Sequence, residues 1–238
     1  MDKIAEFLSS VVIEASKLIT DDFLVKAKDD NGDLVTNFDY EVEEFIIDKL
    51  KRAYPDYDII SEEYNYSKKM SENFFVIDPI DGTINFANSL DFWGIQVACV
   101  TQGQVVASVI YLPKLNELYV ACSSGAYLNG QKISVSSSDA EKSLFAIEAK
   151  SKQALKYIEK IKIPFPLQRK FYCAAMEFAY VACGKFGGVA FVCDTIWDYL
   201  PGCYLVEKAG GTILHDGNIH IAANSENLAS LLHQSCKE

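Results

Sequence analysis

The stretch that decides the fold is Phe75-Val76-Ile77-Asp78-Pro79-Ile80-Asp81-Gly82-Thr83, an apolar run that leads into a turn with two carboxylates. Its apolar first half predicts a short buried strand. Pro79 has no N–H to donate, so it is expected to end the pairing of that strand, and Gly82 permits a tight turn. Asp78 and Asp81 are therefore predicted to converge on one point where the strand ends.

Two carboxylates at one point suit a cation that prefers oxygen ligands. Together with the backbone carbonyl of Ile80 between them, they match the hard donors of a Mg²⁺ site. The backbone amides of Gly82 and Thr83 are expected to open a helix beside this point, where a phosphate group binds readily. The alternative is an ordinary surface turn, because Asp, Pro and Gly are the commonest turn residues.

Two further acidic positions are candidates for the same site. Glu62-Glu63 follows the apolar pair Ile59-Ile60 and is a candidate strand end, although a solvated loop is the commoner interpretation of such a pair. Asp198 follows Trp197 at the start of an otherwise apolar helix. Helix capping and the helix dipole alone favour an acid there, so the residues by themselves leave both interpretations open.

The composition narrows the class of protein. The chain has 238 residues, of which 50% are hydrophobic, enough for one large domain or two small interlocked ones. Its 22 Lys and Arg against 33 Asp and Glu give a net charge of −11, which argues against a nucleic-acid partner bound through a basic face. No run approaches the roughly 18 apolar residues of a membrane span, so no membrane partner is expected. The seven cysteines show no CxxC or zinc-finger spacing and indicate reduced thiols in a cytoplasmic protein.

Hydrophobic periodicity predicts the elements of the first half. Apolar residues at helical spacing indicate an amphipathic helix over residues 2–20. A second helix, capped by Thr36 or Asn37, is expected to stop before Pro55. The predicted strands that follow cover residues 74–78, 94–101, 105–112 and 117–122. Turn chemistry at Gln102-Gly103 makes the second and third of them an antiparallel hairpin.

The second half alternates strands with helices. Strands are predicted at residues 144–149, 188–193, 212–214 and 219–222. Helices are predicted at residues 152–161, 174–183, 197–209 and 226–234, with a break at Pro164-Phe165-Pro166. A boundary near residues 136–142 divides an N-terminal α+β half, 1–138, from a C-terminal α/β half, 139–238. The first half would carry the metal-binding motifs and the second would complete the site, the two packing as one unit.

Several motifs together resemble those of the inositol monophosphatase family of Mg²⁺-dependent phosphatases. The signature pair is Asp78-Pro79-Ile80-Asp81-Gly82-Thr83 with Trp197-Asp198. Further segments that match in the same order are Lys28 with Asp33-Leu34-Val35-Thr36-Asn37-Phe38-Asp39, Ser61-Glu62-Glu63, Gly125-Ala126-Tyr127-Leu128-Asn129-Gly130, Glu207-Lys208-Ala209-Gly210-Gly211 and Ile221-Ala222-Ala223-Asn224. The resemblance implies an α/β (α+β) fold, a layered αβαβα sandwich of the sugar-phosphatase type with mixed sheets. It also implies a homodimer.

The resemblance further implies two to three bound Mg²⁺ ions. Glu62, Asp78 and the Ile80 carbonyl would hold one of them. Asp78, Asp81 and Asp198 would hold a second, and a weaker third ion would lie near Glu62. Such ions neutralise a phosphate dianion, which otherwise repels an anionic nucleophile, and they activate a water molecule.

The same correspondence assigns catalytic roles to Asp39, Thr83, Glu62 and Lys28. Asp39 would accept a hydrogen bond from the Thr83 hydroxyl, which orients the attacking water, and Lys28 would ease charge near the phosphate. Plainer interpretations are a first-turn helix acid for Asp39, a turn hydroxyl for Thr83 and a solvated side chain for Lys28. The substrate-binding residues implied by the correspondence are Asp81, Gly82, Thr83, Cys173, Ala174, Phe191 and Asp198.

The leaving-group pocket departs from the inositol-specific pattern. Tyr172-Cys173-Ala174 stands where such members carry Gly-Ser-Ala or Gly-Thr-Ala. Phe191 stands where they carry a Glu that binds a substrate hydroxyl. A Phe ring accepts no such hydrogen bond, so an inositol ring would lose a contact of about 1 kcal/mol.

The sequence therefore predicts a phosphoric monoester hydrolase that uses Mg²⁺ and a metal-activated water on a small phosphorylated metabolite. The substrate would be inositol 1-phosphate-like or another sugar or polyol phosphate. Alternatives from the same family are a fructose-1,6-bisphosphatase, a histidinol-phosphatase and a 3′-phosphoadenosine 5′-phosphate phosphatase. A regulatory protein-binding family member is the non-enzymatic alternative.

Overall fold

Helices and strands alternate along the chain in the computed structural model. The residues that the structure describes are 2–28, 33–64, 71–149 and 167–237. The helix predicted at 152–161 and the break at Pro164-Phe165-Pro166 lie outside the described residues.

The described residues form helices that differ from the predicted ones mainly at their ends. These helices are α1 (Lys3–Ser16), α2 (Asn37–Ala53), α3 (Thr83–Ala87), α4 (Ala174–Ala182), α5 (Ile196–Lys208) and α6 (Glu226–Lys237). Thr36 is the N-cap of α2, and the helix ends before Pro55 as predicted.

The strands belong to two large sheets and one small pair. In chain order they are β1 (Val25–Ala27), β2 (Leu34–Thr36), β3 (Asp58–Ser61), β4 (Phe74–Asp81), β5 (Gly94–Thr101), β6 (Gln104–Leu112), β7 (Glu117–Cys122), β8 (Gly125–Leu128), β9 (Gln131–Ile133), β10 (Phe145–Ala149), β11 (Gln168–Arg169), β12 (Gly188–Val192), β13 (Thr212–Asp216) and β14 (Ile219–Ala223). Strands β3 to β9 form a seven-stranded sheet in chain order, parallel at β3–β4 and antiparallel elsewhere. The five-stranded sheet has the order β11-β10-β12-β14-β13 and is also mixed.

Helices α1 and α2 form the first layer and cover one face of the seven-stranded sheet. Leu8 and Val12 of α1 and Ile46 of α2 lie in one buried cluster with Phe75 and Ile77 of β4. The apolar stripe of each helix therefore finds its partner on the sheet, which is why these amphipathic segments are helical.

Helices α4 and α5 form the middle layer between the two sheets. Phe178 of α4 and Leu205 of α5 share a buried cluster with Ile110 of the first sheet and Val189 of the second. Because both sheets pack against this layer, it decides how their edges face each other. The division into halves 1–138 and 139–238 stays a prediction.

Helix α6 covers the outer face of the five-stranded sheet. Leu228 and Leu232 of this helix pack with Phe145 of β10 and Ile221 of β14. The order of layers is thus helix, sheet, helix, sheet, helix. The predicted αβαβα sandwich with mixed sheets is confirmed.

Strand β4 does not end where the sequence predicted. It continues past Pro79 to Asp81, which pairs with Gly94 of β5. The register shifts between Asp78 and Asp81, because a proline without an N–H is accommodated by an irregularity rather than by a regular ladder. The expectation that Pro79 ends the pairing was wrong.

The predicted hairpin at Gln102-Gly103 is confirmed. Strands β5 and β6 are antiparallel, and both turn residues have positive φ, 51° and 70°. Positive φ at both positions is the geometry that matches the twist of paired strands.

None of the helices in the described ranges has the length and apolar character needed to cross a lipid bilayer.

Candidate active site

Strand β4 carries two of the candidate acids into the interior. All eight of its residues are buried. Phe75 and Ile77 face α1 and α2, whereas Val76 lies in a separate cluster with Trp197 of α5. Since side chains alternate along a strand, Asp78 continues the face of Val76 and lies on the side of α5.

Helix α5 brings a third acid to the same place. Its N-cap residue Thr195 has an extended backbone, and the Thr195 hydroxyl donates to the Asp198 carboxylate in the first helical turn. Asp78, Asp81 and Asp198 each place one carboxylate oxygen within 4.8 Å of the others. At most 1% of any of these three residues is exposed.

The three aspartates form a concentration of negative charge from which water is largely excluded. Besides the Thr195 hydroxyl, the donors to this cluster include the backbone N–H of Ala175, 2.6 Å from Asp81 Oδ2, and Gln96 Nε2, 3.5 Å from Asp78 Oδ2. Ala175 is in the first turn of α4, so the positive end of that helix dipole also faces Asp81. These partial charges are small against three carboxylates, and a divalent cation with hard oxygen preference fits the donor set.

Asp39 and Thr83 lie within reach of each other at the edge of this cluster. Asp39 is in the first turn of α2, where its Oδ2 accepts from the Thr36 backbone N–H at 2.7 Å and the Thr36 hydroxyl at 2.6 Å. The Thr83 hydroxyl lies 3.2 Å from Asp39 Oδ1 and 2.8 Å from the Ile80 carbonyl. Burial raises the pKa of Asp39 to about 6, although the hydrogen bonds from Thr36 oppose this.

Glu62 and Glu63 follow β3 at the sheet edge where Asp78 lies. In the parallel pair, Ser61 is opposite Ile77, so the next residues along both strands are acids. Lys28 Nζ lies 3.0 Å from Glu62 Oε1 and 2.6 Å from Glu63 Oε1. Among the described residues, the 4.8 Å cluster contains the three aspartates and not Glu62.

The pairing with Lys28 affects the titration of this acidic turn. Burial raises the pKa of Glu63 to about 7, and the hydrogen bond from Lys28 opposes the rise. Burial alone lowers the pKa of Lys28, but the charges of Glu62 and Glu63 outweigh it and raise that pKa. Lys28 is therefore a protonated partner of the acidic turn rather than a freely solvated side chain.

The turn Tyr172-Cys173-Ala174 packs directly against the β4 turn. The Cys173 thiol lies 3.6 Å from the Asp81 backbone oxygen, and a Cβ added to Gly82 would stand 3.3 Å from Cys173 Cβ. Cys173 and Ala174 are buried, and burial raises the pKa of the Cys173 thiol. Tyr172 is 54% exposed and has φ of 53°, so it adopts a left-handed backbone at a solvent-facing position.

Phe191 lies in the core of the five-stranded sheet. It is 1% exposed and packs against Phe178 of α4, with ring centroids 6.2 Å apart. Glu148 of β10 pairs with Phe191 in register and is also buried. The five-stranded sheet thus holds a buried carboxylate on the strand beside Phe191.

Sequence reasoning missed three buried glutamates that hold backbone amides near these turns. Glu148 Oε1 accepts from the Tyr172 N–H at 2.8 Å, and Glu177 Oε1 accepts from the Phe171 N–H at 3.0 Å. Glu43 of α2 holds the turn that contains Glu62. The available signal was a single acid inside an otherwise apolar segment, such as Ala174-Ala175-Met176-Glu177-Phe178-Ala179, because buried acids need partners.

Comparison with known proteins decides the family. The model of the inositol monophosphatase family matches residues 1–234. The chain belongs to the inositol monophosphatase family. The fructose-1,6-bisphosphatase/inositol-1-monophosphatase of Thermotoga maritima is 34% identical over 191 residues, which cover 79% of this chain and 74% of that protein.

Other similar proteins of the family carry a different kind of name. Nus factor SuhB of Escherichia coli strain K12 is 34% identical over 203 residues, covering 82% of this chain and 76% of that protein. The crystal structure of extragenic suppressor protein SuhB from Bartonella henselae superposes with a TM-score of 0.87 at 27% identity, covering 100% of this chain and 99% of that chain. The relatives of this chain therefore include proteins named as enzymes and proteins named as a Nus factor or an extragenic suppressor.

Proposed function

We propose that this protein is a Mg²⁺-dependent phosphatase that hydrolyses a small phosphate monoester of a sugar or polyol. The observation that carries the proposal is the cluster of Asp78, Asp81 and Asp198, three buried carboxylates within 4.8 Å of one another. Like charges in a buried cluster repel one another and are poorly solvated, so cations bound between them are expected to stabilise the native fold.

The ligand sets follow the family pattern. Asp78, Asp81 and Asp198 would hold one ion, and Glu62, Asp78 and the Ile80 carbonyl a second. A third, weaker ion near Glu62 would bring the total to three. When bound, Mg²⁺ supplies charge neutralisation of the phosphate and Lewis acidity toward water.

The chain's own residues would orient the attacking water. The Thr83 hydroxyl has one proton and two acceptors, Asp39 Oδ1 and the Ile80 carbonyl. If the Ile80 carbonyl serves as a ligand, the hydroxyl is left to donate to Asp39, and its oxygen accepts from the water. Asp39, with a pKa of about 6, is mostly ionised at neutral pH and suited to accept that hydrogen bond. Lys28 would balance charge around Glu62 when the phosphate binds.

The substrate would be held from two sides. The amides of Gly82 and Thr83, together with Asp81 and Asp198, lie on the phosphate side in this proposal. Cys173, Ala174 and Phe191 would then form the side of the leaving group. An inositol 1-phosphate-like ester is the leading candidate, and fructose 1,6-bisphosphate, histidinol phosphate and 3′-phosphoadenosine 5′-phosphate are the alternatives that the departures at Tyr172 and Phe191 keep open.

A second candidate function is a regulatory, protein-binding role, favoured by the similarity to Nus factor SuhB. Such a role need not use the aspartate cluster. A homodimer located in the cytoplasm is proposed for either function.

A phosphate-release assay over a panel of monoesters, with and without Mg²⁺, tests the proposed activity. Asp81→Asn should lower kcat/KM roughly 100-fold or more, because it removes charge that stabilises the transition state through the cations. Asp56→Asn, at an exposed position, is the matched control and should leave turnover unchanged. Unaltered turnover in the Asp81 variant would exclude the mechanism, and a deletion phenotype rescued by that variant would favour the regulatory role.

A further inference from the structure

Glu43 is a buried carboxylate that the proposed chemistry does not use. It lies on α2, and none of its surface is exposed. It does not belong to the 4.8 Å cluster of aspartates in the described part of the chain. A buried charge at this position requires an explanation, because desolvation makes it unfavourable unless its hydrogen bonds are satisfied.

Among the described residues, the hydrogen-bond donors to Glu43 lie at the end of β3 and in the turn that follows it. Its Oε1 accepts from the Ser61 hydroxyl at 2.5 Å and from the Tyr64 backbone N–H at 2.8 Å, and its Oε2 accepts from the Glu63 backbone N–H at 2.9 Å. These donors lie on both sides of Glu62 in the chain. One carboxylate therefore holds the Ser61 side chain immediately before the proposed metal ligand and the backbone N–H groups of Glu63 and Tyr64 immediately after it.

The turn is held from two directions. Glu43 holds the backbone from the helix side, and Lys28 contacts the Glu62 and Glu63 side chains with its ammonium group. The Lys28 contacts are side chain to side chain, so they leave the course of the main chain open. The Glu43 contacts to the Glu63 and Tyr64 N–H groups, by contrast, hold the main chain directly after residue 62 and so constrain the direction in which its side chain leaves the backbone.

We propose that Glu43 is a positioning residue that orients Glu62 for cation binding, an inference that rests on the proposed Mg²⁺-dependent function. Residues that hold metal ligands by hydrogen bonds change metal affinity when replaced, typically by a factor of about 10 to 100. An amide in place of the Glu43 carboxylate keeps the volume but turns one acceptor into a donor, which then faces the Glu63 N–H. The turn would lose one hydrogen bond and gain a repulsive contact.

Direct cation binding tests the proposal without reference to turnover. Glu43→Gln is compared with wild type and with Glu44→Gln, which removes the same charge from an exposed neighbour on the same helix. Binding of Mg²⁺ alone is followed by calorimetry on substrate-free protein, and backbone amide exchange is followed at Glu63 and Tyr64. Glu43→Gln should weaken the binding step that involves Glu62 at least about tenfold and speed exchange at both amides, whereas Glu44→Gln should change neither.

Two outcomes separate this inference from the proposed function. A Glu43→Gln variant that binds Mg²⁺ as tightly as an active wild type would overturn the positioning role alone. A wild type that binds no Mg²⁺ would overturn both. If Glu43→Gln does not fold, Ser61→Ala removes one of the three hydrogen bonds and should still weaken Mg²⁺ binding, and unchanged affinity there would also overturn the role.

Discussion

At the scale of residues, one aspartate of the cluster can stabilise the fold through one contact and destabilise it through another. Asp81 accepts a hydrogen bond from the first turn of α4, which ties the seven-stranded sheet to the middle layer. The same residue adds to the repulsion among three buried carboxylates. The cluster is therefore expected to destabilise the cation-free protein and to stabilise it once cations are bound.

Asp78→Asn should weaken the dependence of stability on Mg²⁺. Without metal, removal of one charge relieves repulsion and should raise the free energy of unfolding by about 1 kcal/mol. With saturating Mg²⁺, the variant should gain less stability than wild type, because a ligand is lost. Thermal unfolding in chelator and in Mg²⁺ measures both, and Asp56→Asn serves as the exposed control. Lower stability of the Asp78 variant under both conditions would contradict the prediction.

Tyr172 is a second residue whose local geometry makes a prediction. Its φ of 53° is unfavourable for a side chain with a Cβ, and glycine adopts this conformation without that strain. Glycine loses more conformational entropy on folding, and this loss offsets part of the gain from relieved strain. The net effect of Tyr172→Gly should be a stabilisation of about 0.5 kcal/mol. Tyr64 is equally exposed at 54% and has no positive φ, so Tyr64→Gly should destabilise. Denaturant unfolding compares the two, and a similar loss in both would show that Tyr172 is not strained.

At the scale of elements, buried glutamates fix the turns that border the site. Glu177 of α4 is fully buried and holds the Phe171 N–H, while Glu148 of β10 holds the Tyr172 N–H. A strand and a helix are thereby tied to one turn. Burial and the neighbouring Glu148 raise the pKa of Glu177 well above its usual value.

The raised pKa of Glu177 predicts how stability depends on pH. The folded state holds this proton more tightly than the unfolded state, so the contribution is complete below the unfolded pKa of roughly 4.3 and is lost as pH rises toward the folded pKa. Glu177→Gln should therefore reduce the loss of stability as pH rises through this range. Glu207→Gln, at an exposed position, is the control and should show the same loss as wild type. Unfolding temperature against pH in chelator measures this, and parallel curves for wild type and Glu177→Gln would rule it out.

At the scale of the whole molecule, local patterns predicted most elements and the motif predicted the cluster. The apolar stripe of α1 and the turn residues Gln102-Gly103 depend on nearby sequence alone, so their prediction succeeded. The order of layers followed from the family resemblance rather than from periodicity. Periodicity states which face is apolar but not which element covers it.

The misses arise where distant segments meet. Strand β4 continues past Pro79 because Gly94 is available as a partner, which the local sequence does not reveal. The local sequence does not distinguish Glu43 from an exposed helix acid, because its hydrogen bond from Ser61 joins residues far apart in the chain. Each miss concerns a contact between residues far apart in the chain.

The aspartate cluster joins β4 to α5, and the chain between them contains most of both sheets. The three carboxylates can meet only after those sheets have assembled around the middle layer. A cation bound there would have no site in an early folding transition state. It would therefore act mainly by slowing unfolding, and the lifetime of the native protein, rather than its folding rate, would follow the concentration of free Mg²⁺.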